Sequence, residues 1–364
     1  MENIETYIFI FMFFIVLIII IYIYSVNTLL QSNCDRIGEY SKNDDDTRIF
    51  TEEGINPIFD VTLNKVFVKT AYNCCCTGRF KNDYVSLCAL NNCKKQGVRA
   101  LHFEIYNLNG RPIIATASIN RPNYKEMYNY LDFSETMTHI STTFMGINEE
   151  PLFLILEINS DLSETYKSVY NSLTNIFKEN IYNVGTSSPE NINLKLLRGK
   201  VCILISFKIN NYKYYTVDTS LNAISYNMND KIMTYTSFIG GMTDFNNITN
   251  FTEDQQANIR TIKLLVSNKQ DYTKNFDFIS SGIKYGITFT AMNFQFNDSY
   301  LKEYNNMFKQ ATNPISTSSF ALKYGIIGTK YYSPIINAMT PNNSTITNPV
   351  TDINLFNKLA ISFT

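Results

Sequence analysis

A chain of 364 residues, 45% of them apolar, can bury one large core or two smaller ones, and one domain of about 300 residues plus an anchor fits best. A formal net charge of −1, with no basic block and no basic face interleaved with aromatic residues, sets nucleic acid aside as a partner. Asn, Ile, Lys and Tyr are abundant and Trp is absent, a bias that resembles AT-rich coding and carries no structural conclusion.

Residues 1–6 form a short tail. Residues 7–24 (YIFIFMFFIVLIIIIYIY) are uncharged and almost wholly apolar, with Tyr7 and Tyr24 at the two ends. Eighteen residues at ~1.5 Å each approach the ~30 Å of a hydrocarbon core, and tyrosines suit its edges, so a retained single-pass anchor is expected. A cleaved signal peptide is the rival, but there is no basic stretch before the run and no convincing small-residue cleavage site after it. Arg36, Lys42 and Arg48 follow the span and only Glu2 and Glu5 precede it, which puts the body of the protein on the cytosolic side. Five Asn-x-Ser/Thr sequons, at Asn247, Asn250, Asn297, Asn342 and Asn343, point the other way, but a chain so rich in Asn and Thr produces them by chance.

Residues 25–60 are polar and weakly periodic and read as a stalk or a segment laid over a rim. Strands and helices then alternate. A strand is expected over 67–73, then a helix over 83–96 capped by Asp83 and stopped by Gly97. Strands over 98–106 and 111–117 are joined by a tight turn at 107–110, a helix covers most of 124–144, and a buried strand occupies 152–158. A helix over 163–182, with Ser163 as its cap, precedes a strand over 201–207. This rhythm predicts a parallel sheet wound into a barrel. The stretch 210–257 reads as an insertion or linker, partly ordered around 214–217 and 232–239, between a first half, 61–209, and a second half, 258–330. In that second half a strand over 286–295, a helix over 298–309 and a last strand over 319–323 are expected. The tail 331–364 is not placed.

Five of the seven cysteines are Cys74, Cys75, Cys76, Cys88 and Cys93. Three consecutive cysteines cannot all face one zinc ion and there is no paired C-x-x-C, so free thiols in a reducing compartment are the expectation, with pairing among the five left open.

Several of these stretches, in order, resemble the catalytic barrel of phosphatidylinositol-specific phospholipase C, particularly the eukaryotic form built from two halves. Thr70-Ala-Tyr72-Asn73 stands where that family has Ser-His-Asn, and Val98-Arg-Ala-Leu-His102-Phe-Glu104-Ile-Tyr106 is similar to Cys-Arg-x-Val-Glu-Leu-Asp-x-Trp. Pro112-Ile-Ile-Ala-Thr116-Ala-Ser118 is similar to Pro-x-Ile-Tyr-His-Gly-His, and Pro151-Leu-Phe-Leu-Ile-Leu-Glu157 to Pro-Val-Ile-Leu-Ser-Leu-Glu. Leu197-Arg-Gly-Lys-Val-Cys-Ile203, Ala291-Met-Asn-Phe-Gln295 and Phe320-Ala-Leu-Lys323 continue the match to about residue 330. The resemblance implies a TIM-type (β/α)8 barrel, which would follow the transmembrane helix read from residues 7–24.

The resemblance also implies a site, and the site departs from the pattern. The family uses two histidines for proton transfer and a Ca²⁺ held by Asn, Glu, Asp and Glu. At the histidine positions this chain has Tyr72 and Thr116, neither of which exchanges protons near neutrality, so no catalytic residue is expected. At the metal positions Asn73 and Glu157 match, Glu104 replaces Asp and His102 replaces Glu, which implies no metal or a weakly held Ca²⁺ on Asn73, Glu104 and Glu157. Lys208 is the single nearby candidate for a phosphate contact. His102 and Tyr72 each read more simply as hydrogen-bonded core residues, and His139 falls on an outer helix.

The expectation is therefore a membrane-anchored pseudoenzyme that binds a phosphoinositide headgroup or a protein partner, or serves a structural role. The anchor and the AT-rich style would suit the virion membrane of a large DNA virus. The alternative is an active phosphodiesterase of altered substrate, in which His102, Glu104 and Glu157 hold another metal.

Overall fold

The structure, a computed structural model, describes residues 2–41, 62–119, 121, 123–145, 150–183, 189–207, 219–228, 232–234, 262–267, 274–283, 285–309 and 319–323. Lys208, the segment 42–60, most of the stretch 210–257 and the whole tail 331–364 lie outside the described residues.

The first element, α1 (Glu2–Tyr40), is a single helix of 39 residues. Its apolar part lies on the outside of the molecule, and it is long and apolar enough to cross a membrane. The helix does not end with the apolar run. Residues 25–40, expected to form a stalk, continue it and dock on the body of the protein, with Ile37 and Asn33 buried. Of the two readings of this stretch, the free stalk fails and the segment laid on the body holds: Val26, Leu29, Leu30, Cys34 and Ile37 recur at helical spacing on its covered face, and Asn33 Nδ2 donates to Asp83 at 2.8 Å and Arg36 to the Thr77 carbonyl at 3.1 Å.

The body begins with β1 (Val66–Ala71), buried along its whole length, and α2 (Leu87–Lys95). The expected helix start at Asp83 is displaced to Ser86, whose side chain accepts from the Cys88 amide. Asp83 is instead committed to the loop before the helix, where it accepts from the amides of Arg79 and Tyr84 as well as from Asn33. β2 (Ala100–Leu108) and β3 (Arg111–Ala115) form the expected hairpin, with Asn109 and Gly110 both at positive φ, as a two-residue turn of the type I′ requires. A long helix expected over 124–144 is shorter. β4 (Leu131–Asp132) precedes α3 (Phe133–Thr143), which is capped by Asp132, and the residues before it form a loop.

β5 (Leu152–Ile158) and β6 (Val201–Phe207) have the expected bounds, because continuous apolar runs buried on both faces leave little ambiguity. Between them α4 (Ser163–Phe177) buries Tyr166, Val169, Leu173 and Phe177 along one stripe. Then come α5 (Thr219–Ile224), β7 (Ser225–Asn227), β8 (Ile232–Thr234), β9 (Leu264–Val266), β10 (Phe289–Met292), α6 (Ser299–Lys309) and β11 (Phe320–Leu322).

Eight strands pair in parallel in the order β7-β6-β5-β2-β1-β10-β9-β8, a curled sheet with helices around it. The stretch read as an insertion thus supplies two strands of the sheet, β7 and β8. The last strand, β11, differs from the parallel expectation and runs antiparallel to β1. The C-terminal ends of the parallel strands form one face, where the loops 72–86, 116–130 and 159–162 meet.

The cysteines also depart from the expectation. Cys34 on α1 is bonded to Cys88 on α2, while Cys74, Cys75, Cys76, Cys93 and Cys202 are free and buried. The pairing was out of reach of a search among the five clustered cysteines because one partner sits on the helix taken for a stalk.

Candidate functional site

β2 and β5 lie side by side in register, so that Glu104 is opposite Glu157 and His102 opposite Ile155. Side chains two apart on a strand share a face, and His102, Glu104 and Tyr106 therefore line up along β2. β1 ends beside them, and the chain turns away at Asn73, whose φ of +42° is a left-handed conformation that Asn tolerates better than most residues.

Five of the six expected site residues come together: Tyr72, Asn73, His102, Glu104 and Glu157. Glu104 is wholly buried and is the centre of the group. One of its oxygens accepts from Asn73 Nδ2 at 2.8 Å and the other from the Tyr106 hydroxyl at 2.6 Å, and the Tyr72 hydroxyl donates to it as well. Burial first, and then the charges of Glu104 and Glu157, push both phenols well above the usual tyrosine range. Each is therefore a fixed hydrogen-bond donor at neutral pH, unable to act as a base.

His102 is packed against Tyr72, with ring centroids 4.6 Å apart, and is fully buried. Its Nδ1 lies 3.3 Å from Asn73 Oδ1 and 3.4 Å from the Asn73 amide. Its Nε2 makes no hydrogen bond among the described residues and faces Glu157 at 3.6 Å; in the neutral ring it carries the proton when Nδ1 accepts from the Asn73 amide and the lone pair when Nδ1 donates to Asn73 Oδ1. Glu157 is the one member of the group with appreciable access to solvent, its side chain 18% exposed.

Thr116, the sixth expected residue, follows Ala115, which pairs with Glu104, but its hydroxyl bonds none of the other five. Its hydroxyl donates to the Phe80 carbonyl at 3.0 Å and also meets the Cys76 thiol, so it is spent on holding the loop 72–86. That loop fills the mouth: Phe80 is fully buried, its ring edge-on to Tyr72 at 5.5 Å. The sixth position belongs to packing. Lys208 lies outside the described residues.

The donor set does not fit Ca²⁺. That ion takes six to eight oxygens, whereas both oxygens of Glu104 already receive hydrogen-bond donors, Asn73 turns its amide nitrogen to the carboxylate, and an imidazole stands in a ligand position. Among the described residues no group of three His, Cys, Asp or Glu side chains is arranged to hold a metal ion. Tyr106 was missed at the sequence level because it was read only as a stand-in for Trp. The alternation of His102 and Glu104 along one strand would have found it.

No protein-family model and no curated protein matches the chain. Solved structures do. PLC21 from L. pealei superposes with a TM-score of 0.53 at 14% identity, over 67% of this chain and 35% of that one. PLC21 from S. officinalis gives 0.56 at 13% identity, over 73% of this chain and 37% of that one. A calcium-dependent phosphoinositol-specific phospholipase C from Pseudomonas sp. gives a looser likeness, 0.43 at 12% identity, over 65% of this chain and 91% of that one. The chain spans little more than a third of the length of either PLC21 structure.

Proposed function

We propose, from the premise that the chain carries the phospholipase C type of barrel fold seen in the two PLC21 structures, that it is a membrane-anchored pseudoenzyme which binds or scaffolds at a membrane surface and does not turn over lipid. One observation carries the reading. The positions from which protons would be moved hold a buried phenol held in its neutral form and a threonine bonded to a loop carbonyl. General acid–base chemistry is worth roughly 10²–10⁴ in rate, and neither group can supply it. The crowding of Glu104 supports the same conclusion, because three hydrogen-bond donors already compete with a cation for its two oxygens.

The apolar part of α1 is the anchor in this reading, and the positive residues after it, Arg36, Lys42 and Arg48, set the barrel on the cytosolic side. The Cys34–Cys88 bond withdraws the support that unpaired thiols gave to that orientation. The ligand is a phosphoinositide headgroup or a protein partner, and a virion membrane is one setting that suits such a protein.

The test uses the full chain in mixed micelles containing phosphatidylinositol and Ca²⁺, with release of inositol phosphate as the readout. No release is expected. Ca²⁺-dependent release that disappears in Glu157→Ala would overturn the proposal, and a stoichiometric transition metal in the purified protein would favour an active phosphodiesterase built on His102, Glu104 and Glu157.

A further inference from the structure

The N-terminal ends of the parallel strands form the face of the sheet opposite the mouth, and the segments that lead into them carry charge of one sign. α2 closes on Lys94 and Lys95, and α4 is followed at once by Lys178. Lys195 stands in the short helical turn Leu194–Leu197, and Lys200 and Lys263 immediately precede β6 and β9. Backbone bonds fix the last two at the level of the strand starts, since the Leu152 amide donates to the Lys200 carbonyl at 3.1 Å and the Phe289 amide to that of Lys263 at 3.0 Å. The Lys200 amine is itself held by the Glu179 carbonyl at 2.7 Å. Among the described residues of these segments Glu179 is the exposed carboxylate, while Glu150 and Glu190 are buried.

The chain as a whole has a formal net charge of −1, so the concentration is local. Part of it has a plain structural cause. Cations at the C-terminal ends of α2 and α4 complement the helix dipoles, which accounts for Lys94, Lys95 and Lys178. Lys195, Lys200 and Lys263 stand before strands and have no α-helix end to serve. Like charges gathered on one face repel, and the fold gains nothing from that repulsion. Beside Lys195 is Leu196, 63% exposed and the most exposed large apolar side chain among the described residues outside α1. A single exposed leucine needs no explanation, but one standing among cations gives the face a second chemistry.

The position of α1 narrows what can cover this face. That helix meets the body on the mouth loops, where the Tyr84 hydroxyl donates to the Val26 carbonyl at 3.0 Å and Arg36 to the Thr77 carbonyl. The lysines are at the other end of the strands, away from the helix that is long and apolar enough to cross a membrane. Phosphates of a nucleic acid would answer the lysines and leave Leu196 in water. Carboxylates interspersed with apolar side chains answer both.

We infer that the face at the N-terminal ends of the strands is a docking surface for an acidic segment of a partner protein, with the lysines receiving its carboxylates and Leu196 an apolar side chain between them. The surface is separate from the mouth and does not depend on what the mouth binds. The anchor assigned to α1 enters only in setting the bilayer aside.

The test uses the full chain in phosphatidylcholine nanodiscs and two fluorescent peptides, a glutamate homopeptide and a peptide of alternating glutamate and leucine, with anisotropy as the readout. Both should bind, the alternating peptide more tightly, and added salt should weaken both. Combined Lys195→Glu, Lys200→Glu and Lys263→Glu should weaken both by about tenfold or more. Combined Arg111→Glu, Arg121→Glu and Lys302→Glu, the same change of net charge at exposed positions elsewhere, should leave both unchanged. Leu196→Ser should weaken the alternating peptide alone. If the triple reversal at 195, 200 and 263 lowers the melting temperature, Leu196→Ser decides by itself, because that side chain is largely in solvent. No binding of either peptide, equal losses in the two triple variants, or no effect of Leu196→Ser would overturn the inference. Tighter binding of duplex DNA or of phosphatidylserine vesicles than of either peptide would assign the face to phosphates and overturn it too.

Discussion

At the scale of single residues, the site is a polar core, and Glu104 shows how it is balanced. A buried carboxylate is costly unless both its oxygens are hydrogen-bonded, and here Asn73 serves one, Tyr106 the other, and Tyr72 adds a third donor. Tyr106→Phe removes one donor without changing the shape of the ring, so its cost is that of a hydrogen bond to a charged group, ~1.5–3 kcal/mol. Urea denaturation of the full chain should register that loss, and an unchanged midpoint would mean that Glu104 does not depend on this donor. The residues of this cluster were largely legible in the sequence because a motif fixes residue types at strand spacing. Thr116 was not, since the carbonyl it bonds belongs to Phe80, on a loop whose path no local pattern records.

At the scale of elements, the apolar runs were read correctly and the polar seams were not. β5 and β6 declare themselves by continuous burial, whereas the loop 72–86 is held by single hydrogen bonds between distant positions, which leave no period to detect, and in residues 25–40 the short apolar period of Val26, Leu29, Leu30 and Ile37 is diluted by polar residues. Gly78 sits in that seam. A Cβ at this position would come within 2.2 Å of Asp83 Oδ2 and 3.2 Å of Asn33 Nδ2. Asp83 cannot simply swing aside, because the same carboxylate binds the amides of Arg79 and Tyr84. Gly78→Ala should therefore loosen the join between α1 and the barrel, at a cost of the order of 1–3 kcal/mol typical of overpacking. Hydrogen exchange is the measurement: amides of residues 33–40 should exchange faster, with those of α4 unchanged. Unaltered protection in α1 would show that Asp83 is not what secures it.

At the scale of the whole molecule, one helix joins a stretch long and apolar enough to cross a membrane to a stretch packed on the folded body, and the two divide near Val26. A chain beginning at residue 26 keeps Asn33, Arg36, Ile37 and the bond to Cys88, while one beginning at residue 42 loses them all. The covalent link spans 54 residues of sequence, and in the chain-entropy account a loop of that size is worth ~4 kcal/mol. Removing α1 also strips Asp83 of its Asn33 donor, a bond to a charged group worth ~1.5–3 kcal/mol. For a domain of this size each kcal/mol corresponds to roughly 2–4 °C, so the shorter form should melt more than ~10 °C below the longer one. Comparing the two by thermal unfolding in solution decides whether the barrel is a separable domain on a tether. Equal melting temperatures would show that α1 adds nothing to the fold. The expected gap would show that residues 26–41 are part of the folded body and not a tether.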